Sequence, residues 1–123
     1  MSLKRVLLID DDDDIREIAA MAFEGAGGFE VATADGGREG VDQARCQRPD
    51  VVLLDVMMPD LDGPSTLALL RSHDETREVP VIFLTAKVQA TDKRTLLALG
   101  AQGIIAKPFD PMLLPDHVLE ILS

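Results

Sequence analysis

Val51-Val52-Leu53-Leu54-Asp55-Val56-Met57-Met58-Pro59 is the stretch on which the fold turns. Four consecutive apolar residues after Pro49-Asp50 leave no polar face, so Val51–Leu54 reads as an inner strand of a parallel sheet, covered on both sides. Asp55 closes that run, and a carboxylate at the end of a buried strand is expensive to keep charged. Pro59-Asp60-Leu61-Asp62-Gly63 then forms a turn-rich loop.

Upstream, Val6-Leu7-Leu8-Ile9 is a second apolar run, and it too ends in acid, at Asp10-Asp11. Lys4–Ile9 is the first predicted strand. Asp13 or Asp14 caps a helix whose stripe is Ile15, Ile18, Ala19, Ala22, Phe23 and Ala26. Gly25, Gly27 and Gly28 stop it. Phe29–Ala34 is a strand interrupted by Glu30 and Thr33, hence less buried. Gly36–Gln47 is a helix diluted by three glycines.

Downstream, Pro64–Ser72 reads as a helix with Leu67, Ala68 and Leu70 inward, and Val81–Leu84 as a strand meeting Thr85. Thr91–Leu99 is a helix carrying Leu96, Leu97 and Leu99. Gly103–Ala106 is a short strand reaching Lys107-Pro108. Asp110 caps a last helix that buries Leu114, Val118, Ile121 and Leu122. Pro115 removes a backbone donor there, so either the first turn is irregular or the helix starts late.

Five strand–helix units in this order call for a doubly wound α/β fold, a parallel sheet with helices on both faces. Such sheets bind ligands outside the carboxyl ends of their strands. Asp10, Asp11, Asp55, Thr85 and Lys107 all fall at that rim. Asp12, Asp13 and Asp14 read as a solvated helix start, favourable at a helix N-terminus, and Asp60 and Asp62 as turn residues. The acidic run is no EF-hand, since the glycine at the sixth loop position and the closing Glu are missing.

The 123 residues suit one domain, 1–123, with Met1-Ser2-Leu3 fitting a cloning scar. A net charge of -10 argues against a nucleic-acid-binding surface. Cys46, the single cysteine, permits no internal disulfide and points to a reducing cytoplasm. It reads as a small helix residue. There is neither a membrane-length apolar stretch nor a signal peptide. His73 and His117 have no partners for metal binding or catalysis.

Two unit charges about 5 Å apart at an effective dielectric of 20 repel by roughly 3 kcal/mol, so clustered carboxylates call for a cation. A hard divalent ion with oxygen ligands is the natural one, and Mg2+ keeps several waters of its own. Asp11 and Asp55 each offer it an oxygen, Asp10 holds a coordinated water, and the Met57 carbonyl completes the protein share. A phosphoryl group would then rest between the ion, the Lys107 ammonium and the Thr85 hydroxyl, with Asp55 as nucleophile.

Over essentially the whole chain the sequence resembles the receiver domain of two-component response regulators, the chemotaxis-type single-domain receivers being closest in length. The motifs that carry the resemblance are Val6-Leu7-Leu8-Ile9-Asp10-Asp11-Asp12, Leu54-Asp55-Val56-Met57-Met58-Pro59-Asp60-Leu61-Asp62-Gly63, Leu84-Thr85-Ala86 and Lys107-Pro108-Phe109. The resemblance implies a flavodoxin-like sheet of strand order 2-1-3-4-5. It implies that Asp55 is the phosphoacceptor, Asp10 and Asp11 the acidic pair, Thr85 the switch hydroxyl and Lys107 the phosphoryl-sensing lysine, with a cis peptide at Lys107-Pro108. The donor it implies is a phosphohistidine on a histidine kinase or phosphotransfer protein. A downstream protein would read the surface of the fourth helix, fifth strand and fifth helix, and the chain would be a monomer or a weak phosphorylation-dependent dimer. Such a protein is a switch, not an enzyme with ordinary turnover.

One departure concerns signal output: Ile104 stands where many receivers carry an aromatic residue, and the chain has no Tyr or Trp. Met57 and Lys87 occupy the positions that modulate phosphoryl lifetime in the family. A metal-dependent phosphohydrolase is a weaker reading, because Met57 stands where such enzymes place a general acid-base Asp and there is no cap domain. For a flavin module the chain lacks both a Ser/Thr/Gly-rich phosphate loop after the first strand and a Trp or Tyr to stack on the ring. A degenerate, binding-only receiver is disfavoured because all five rim residues are present.

Overall fold

The structure is a computed structural model that describes residues 4–86 and 90–123. Among these lie β1 (Arg5–Ile9), α1 (Asp13–Ala26), β2 (Glu30–Ala34), α2 (Gly37–Gln47), β3 (Val51–Asp55), α3 (Gly63–Ser72), β4 (Val81–Thr85), α4 (Ala90–Ala98), β5 (Gly103–Ala106) and α5 (Leu114–Leu122). Every strand pair is parallel, as the alternation of elements predicts, and the sheet order is β2-β1-β3-β4-β5, as the resemblance implies.

Strand alternation sorts the core into two layers. Val6, Leu8, Val51, Leu53, Ile82, Leu84 and Ile105 pack with Ala19 and Phe23 of α1 and Leu114 and Val118 of α5. Leu7, Ile9, Val52, Leu54, Val81 and Phe83 pack on the other side with Val41 and Ala44 of α2, Leu67 and Leu70 of α3, and Leu96 of α4. β3 is buried along its whole length, which is why its sequence has no polar face. β2 lies at the sheet edge and only its last residue is fully buried. Gln43 Nε2 donates to the Thr33 carbonyl at 2.9 Å and blunts that edge.

Several local expectations need correction. The cap of α1 is Asp12, not Asp13 or Asp14: its carboxylate accepts the N–H groups of Asp14 and Ile15. Ile18 and Ala26 are exposed, so the buried stripe narrows to Ala19 and Phe23, with Ile15 and Ala22 half-buried. Ala68 is exposed on α3, and among the described side chains of α4 Leu96 is buried, whereas Leu97, and Leu99 just beyond the helix, are exposed. Asp110 does not cap α5. It closes a separate turn, its side chain accepting from the Met112 N–H and its carbonyl from the Leu113 N–H. The helix starts late, with Pro115 in its first turn, where a missing N–H leaves no bond unmade. Met1-Ser2-Leu3 and Lys87 lie outside the described residues.

Candidate functional site

Parallel pairing in one direction brings the ends of β1, β3, β4 and β5 to a common rim. Asp55 is the last residue of β3 and stands in register with Leu84, one position before Thr85. Thr85 in turn pairs with Ala106, the residue just before Lys107. The Lys107 N–H donates to the Thr85 carbonyl at 2.9 Å, and the Lys107-Pro108 peptide is cis.

Asp10, Asp11 and Asp55 each present a carboxylate oxygen, all within 4.8 Å of one another. Asp10 is fully buried, Asp55 is 6% exposed and Thr85 is 4% exposed, while Asp11 lies open to solvent. Lys107 Nζ donates to Asp10 Oδ2 at 2.8 Å and to Asp55 Oδ1 at 3.1 Å. Asp10 is held on its other side too, where Oδ1 accepts the Asp12 N–H at 2.9 Å. Its own N–H extends the ladder to the Ala34 carbonyl.

Charge is unbalanced at this rim: among the described residues three carboxylates face the Lys107 ammonium. Burial, and after it the Asp10 charge, push the Asp55 carboxyl from 3.8 up to about 6, against the pull of Lys107. For Lys107, burial works downward, but the hydrogen bond and charge of Asp10, and then those of Asp55, outweigh it and raise its pKa. An all-oxygen donor set with surplus negative charge fits a hard divalent cation.

The loop after β3 is drawn tightly against the site. Gly63 N–H donates to the Val56 carbonyl at 2.9 Å, and a Cβ on Gly63 would lie 2.5 Å from the Asp55 carbonyl oxygen. Within that loop the Met57 side chain is 66% exposed, whereas Met58 is buried in the core. Asp62 does more than turn the chain: it caps α3 by accepting the Ser65 N–H at 2.8 Å. Asp60 adopts φ 67, the left-handed conformation that Asp tolerates better than most residues. Ile104 is half-buried against the core layer that holds Leu96 and Phe83.

One residue beside the site escaped the sequence reading. Arg16 Nη1 donates to the Asp10 carbonyl at 2.8 Å, and Nη2 bonds Asp13. The available signal was a cation in the first turns of a helix, the end where the macrodipole disfavours it.

The response regulator receiver domain model matches residues 6–119. The transcriptional regulatory protein CseB of Streptomyces coelicolor is 41% identical over 117 residues, 95% of this chain and 48% of CseB. The alkaline phosphatase synthesis transcriptional regulatory protein PhoP of Bacillus subtilis is 36% identical, over 97% of this chain and 48% of PhoP. The chain therefore spans about half the length of these relatives. Among solved structures, the chemotaxis response regulator CheY4 of Vibrio cholerae superposes with a TM-score of 0.90 at 32% identity, over 98% of this chain and 99% of CheY4. A putative response regulator from Chloroflexus aurantiacus gives 0.87 at 34% identity, over 98% of both chains. Matched motifs, strand order and these likenesses lead to one conclusion: the chain belongs to the response regulator receiver domain family, the phosphoacceptor switches of two-component signalling.

Proposed function

We propose that Asp55 takes a phosphoryl group from a phosphohistidine on a histidine kinase or histidine phosphotransfer protein, with Mg2+ bound at Asp10, Asp11, Asp55 and the Met57 carbonyl. The observation that carries this reading is the carboxylate cluster, three groups within 4.8 Å, with Lys107 bonded to two of them. When bound, the ion supplies charge neutralisation for the phosphoryl oxygens.

This chain's own residues do the rest. A carboxylate oxygen of Asp55 attacks phosphorus as the phosphorus–nitrogen bond of the donor breaks, and the leaving imidazole keeps the electron pair. Lys107 exchanges a carboxylate partner for a phosphoryl oxygen, and the Thr85 hydroxyl closes on another. Lys107 and Thr85 thereby shift together, which makes the rim a two-state element whose populations phosphorylation shifts.

The proposed readout face is α4, β5 and α5, offered to a downstream protein rather than to nucleic acid, by a monomer or a weak phosphorylation-dependent dimer. Ile104 replaces the aromatic swing with a change in aliphatic packing. The proposed compartment is the cytoplasm, where the exposed thiol of Cys46 stays reduced. Among the described residues no helix is long and apolar enough to cross a membrane. As a switch the domain performs self-catalysed acceptance and slow loss of the phosphoryl group, without turnover of a free substrate.

The deciding experiment is incubation with acetyl phosphate and Mg2+, then intact mass measurement. One added phosphoryl group is expected on the wild type, and none on Asp55→Asn or without the metal. Unchanged labelling of Asp55→Asn would place the acceptor elsewhere.

A further inference from the structure

Arg16 is the fourth residue of α1, where the helix dipole disfavours a cation. Its side chain nevertheless turns inward, only 18% exposed, and folds back over the β1–α1 turn. One arm of the guanidinium donates to the Asp10 carbonyl at 2.8 Å and the other bonds the Asp13 carboxylate. We infer that Arg16 is a positioning residue for the cation-binding carboxylates, acting through the backbone at Asp10. This rests on the reading of Asp10, Asp11 and Asp55 as a cation site.

The physical link is the peptide joining Asp10 to Asp11. That unit is planar, so pinning its oxygen fixes the direction in which the Asp11 N–Cα bond leaves it. The Asp10 side chain is held independently, by Lys107 on one oxygen and the Asp12 N–H on the other. Arg16 instead controls the path of the chain into Asp11, the exposed member of the trio. A planar fork can grip a carbonyl and a carboxylate together, which a single ammonium cannot do with the same geometry. Both bonds also avoid the carboxylates of the cluster itself. Successive aspartates from Asp10 to Asp14 repel one another, and a cation anchored at both Asp10 and Asp13 holds that turn closed.

The sign of the effect separates this role from simple charge. A bystander cation repels Mg2+, so deleting it would tighten binding. A positioning residue has the opposite effect, because its loss lets the Asp11 oxygen wander from the site. Partners that orient metal ligands in this way are typically worth about 10- to 100-fold in metal affinity.

The test is an Mg2+ titration of the whole chain by 15N amide shifts, on wild type, Arg16→Ala and Arg16→Lys. Arg16→Ala should bind Mg2+ about 10-fold more weakly. Arg16→Lys, which keeps the charge and loses the fork, should be weakened as well. Labelling by acetyl phosphate should return to near the wild-type rate once Mg2+ is saturating, since the chemistry at Asp55 is untouched. Equal or tighter Mg2+ binding by a folded Arg16→Ala overturns the inference. If that variant unfolds, Arg16→Lys decides alone by the same criterion. A wild type that does not bind Mg2+ overturns the cation site, and the role of Arg16 with it, whereas normal wild-type binding beside an unaffected variant overturns the Arg16 role alone.

Discussion

The Lys107 ammonium lies 3.1 Å from Asp55 Oδ1 although 52 positions separate the two residues in the chain. Only the closure of the sheet brings them together, with β4 standing between their strands. The contact joins the acidic half of the site to its basic half. Because Lys107 also holds Asp10 at 2.8 Å, one ammonium bridges two buried carboxylates.

Removing that bridge should therefore be costly when no cation substitutes for it. Lys107→Met leaves Asp10 and Asp55 facing each other without a counter-charge, and metal-free protein should lose about 1–3 kcal/mol. Mg2+ should restore part of the loss. Urea unfolding with chelator and with Mg2+ checks both statements. A variant more stable than wild type in chelator would mean that the carboxylates relax into solvent.

Asp55 contributes its own part of the pH dependence of the metal-free protein. Its carboxyl is raised from 3.8 to about 6, so in this region the folded state binds more protons than the unfolded chain. Stability then falls as pH rises, beginning near the unfolded value and completing above pH 6. The two values bound the effect at about 3 kcal/mol. Asp55→Asn should abolish this part of the slope and be the more stable protein at pH 7.5 in chelator. Denaturation midpoints at pH 4.5 and 7.5 measure it, and parallel slopes in the two proteins would refute it.

What the sequence revealed and what it hid divide along physical lines. Val6–Ile9 and Val51–Leu54 are apolar on both faces because helices cover both sides, so strand type and parallel order are visible in one chain. A parallel sheet then puts Asp10, Asp55, Thr85 and Lys107 at one rim with no side-chain information needed. Helix faces were harder. Ile18 fits the α1 period but is 41% exposed, and how a helix docks on the sheet is not written in periodicity. Five successive aspartates offer no local reason to prefer one cap, and only the path of the chain out of β1 selects Asp12. Arg16 was hidden for a related reason: its partner is a backbone carbonyl, which every residue possesses.

With Asp55 phosphorylated as proposed, Met57 is expected to bear on the lifetime of the phosphoryl group. Its side chain is 66% exposed in the loop after Asp55, and a bulky apolar group there should hinder an attacking water. The phosphoaspartate should persist for minutes, and hydrolysis within seconds in purified protein would contradict this. Met57→Asn should shorten the lifetime about tenfold, equivalent to roughly 1.4 kcal/mol of barrier. Decay of the phosphorylated mass after removal of acetyl phosphate gives both rates.

Gly63 tests how tightly the loop must sit against the acceptor. A Cβ there would come 2.5 Å from the Asp55 carbonyl oxygen and 2.8 Å from the Val56 Cα, both backbone atoms with little room to yield. The third neighbour, the Phe83 ring at 3.1 Å, lies in the packed core beneath. Gly63→Ala should therefore cost about 1–3 kcal/mol, as overpacking does. It should also slow phosphorylation more than its stability loss explains, because the push falls on the backbone of Asp55 itself. Gly25→Ala is the control: no atom lies within 4 Å of its added Cβ, and it should gain slightly in stability as a helix residue. Melting temperatures and acetyl phosphate labelling rates on the two variants distinguish a displaced acceptor from a general loss of glycine.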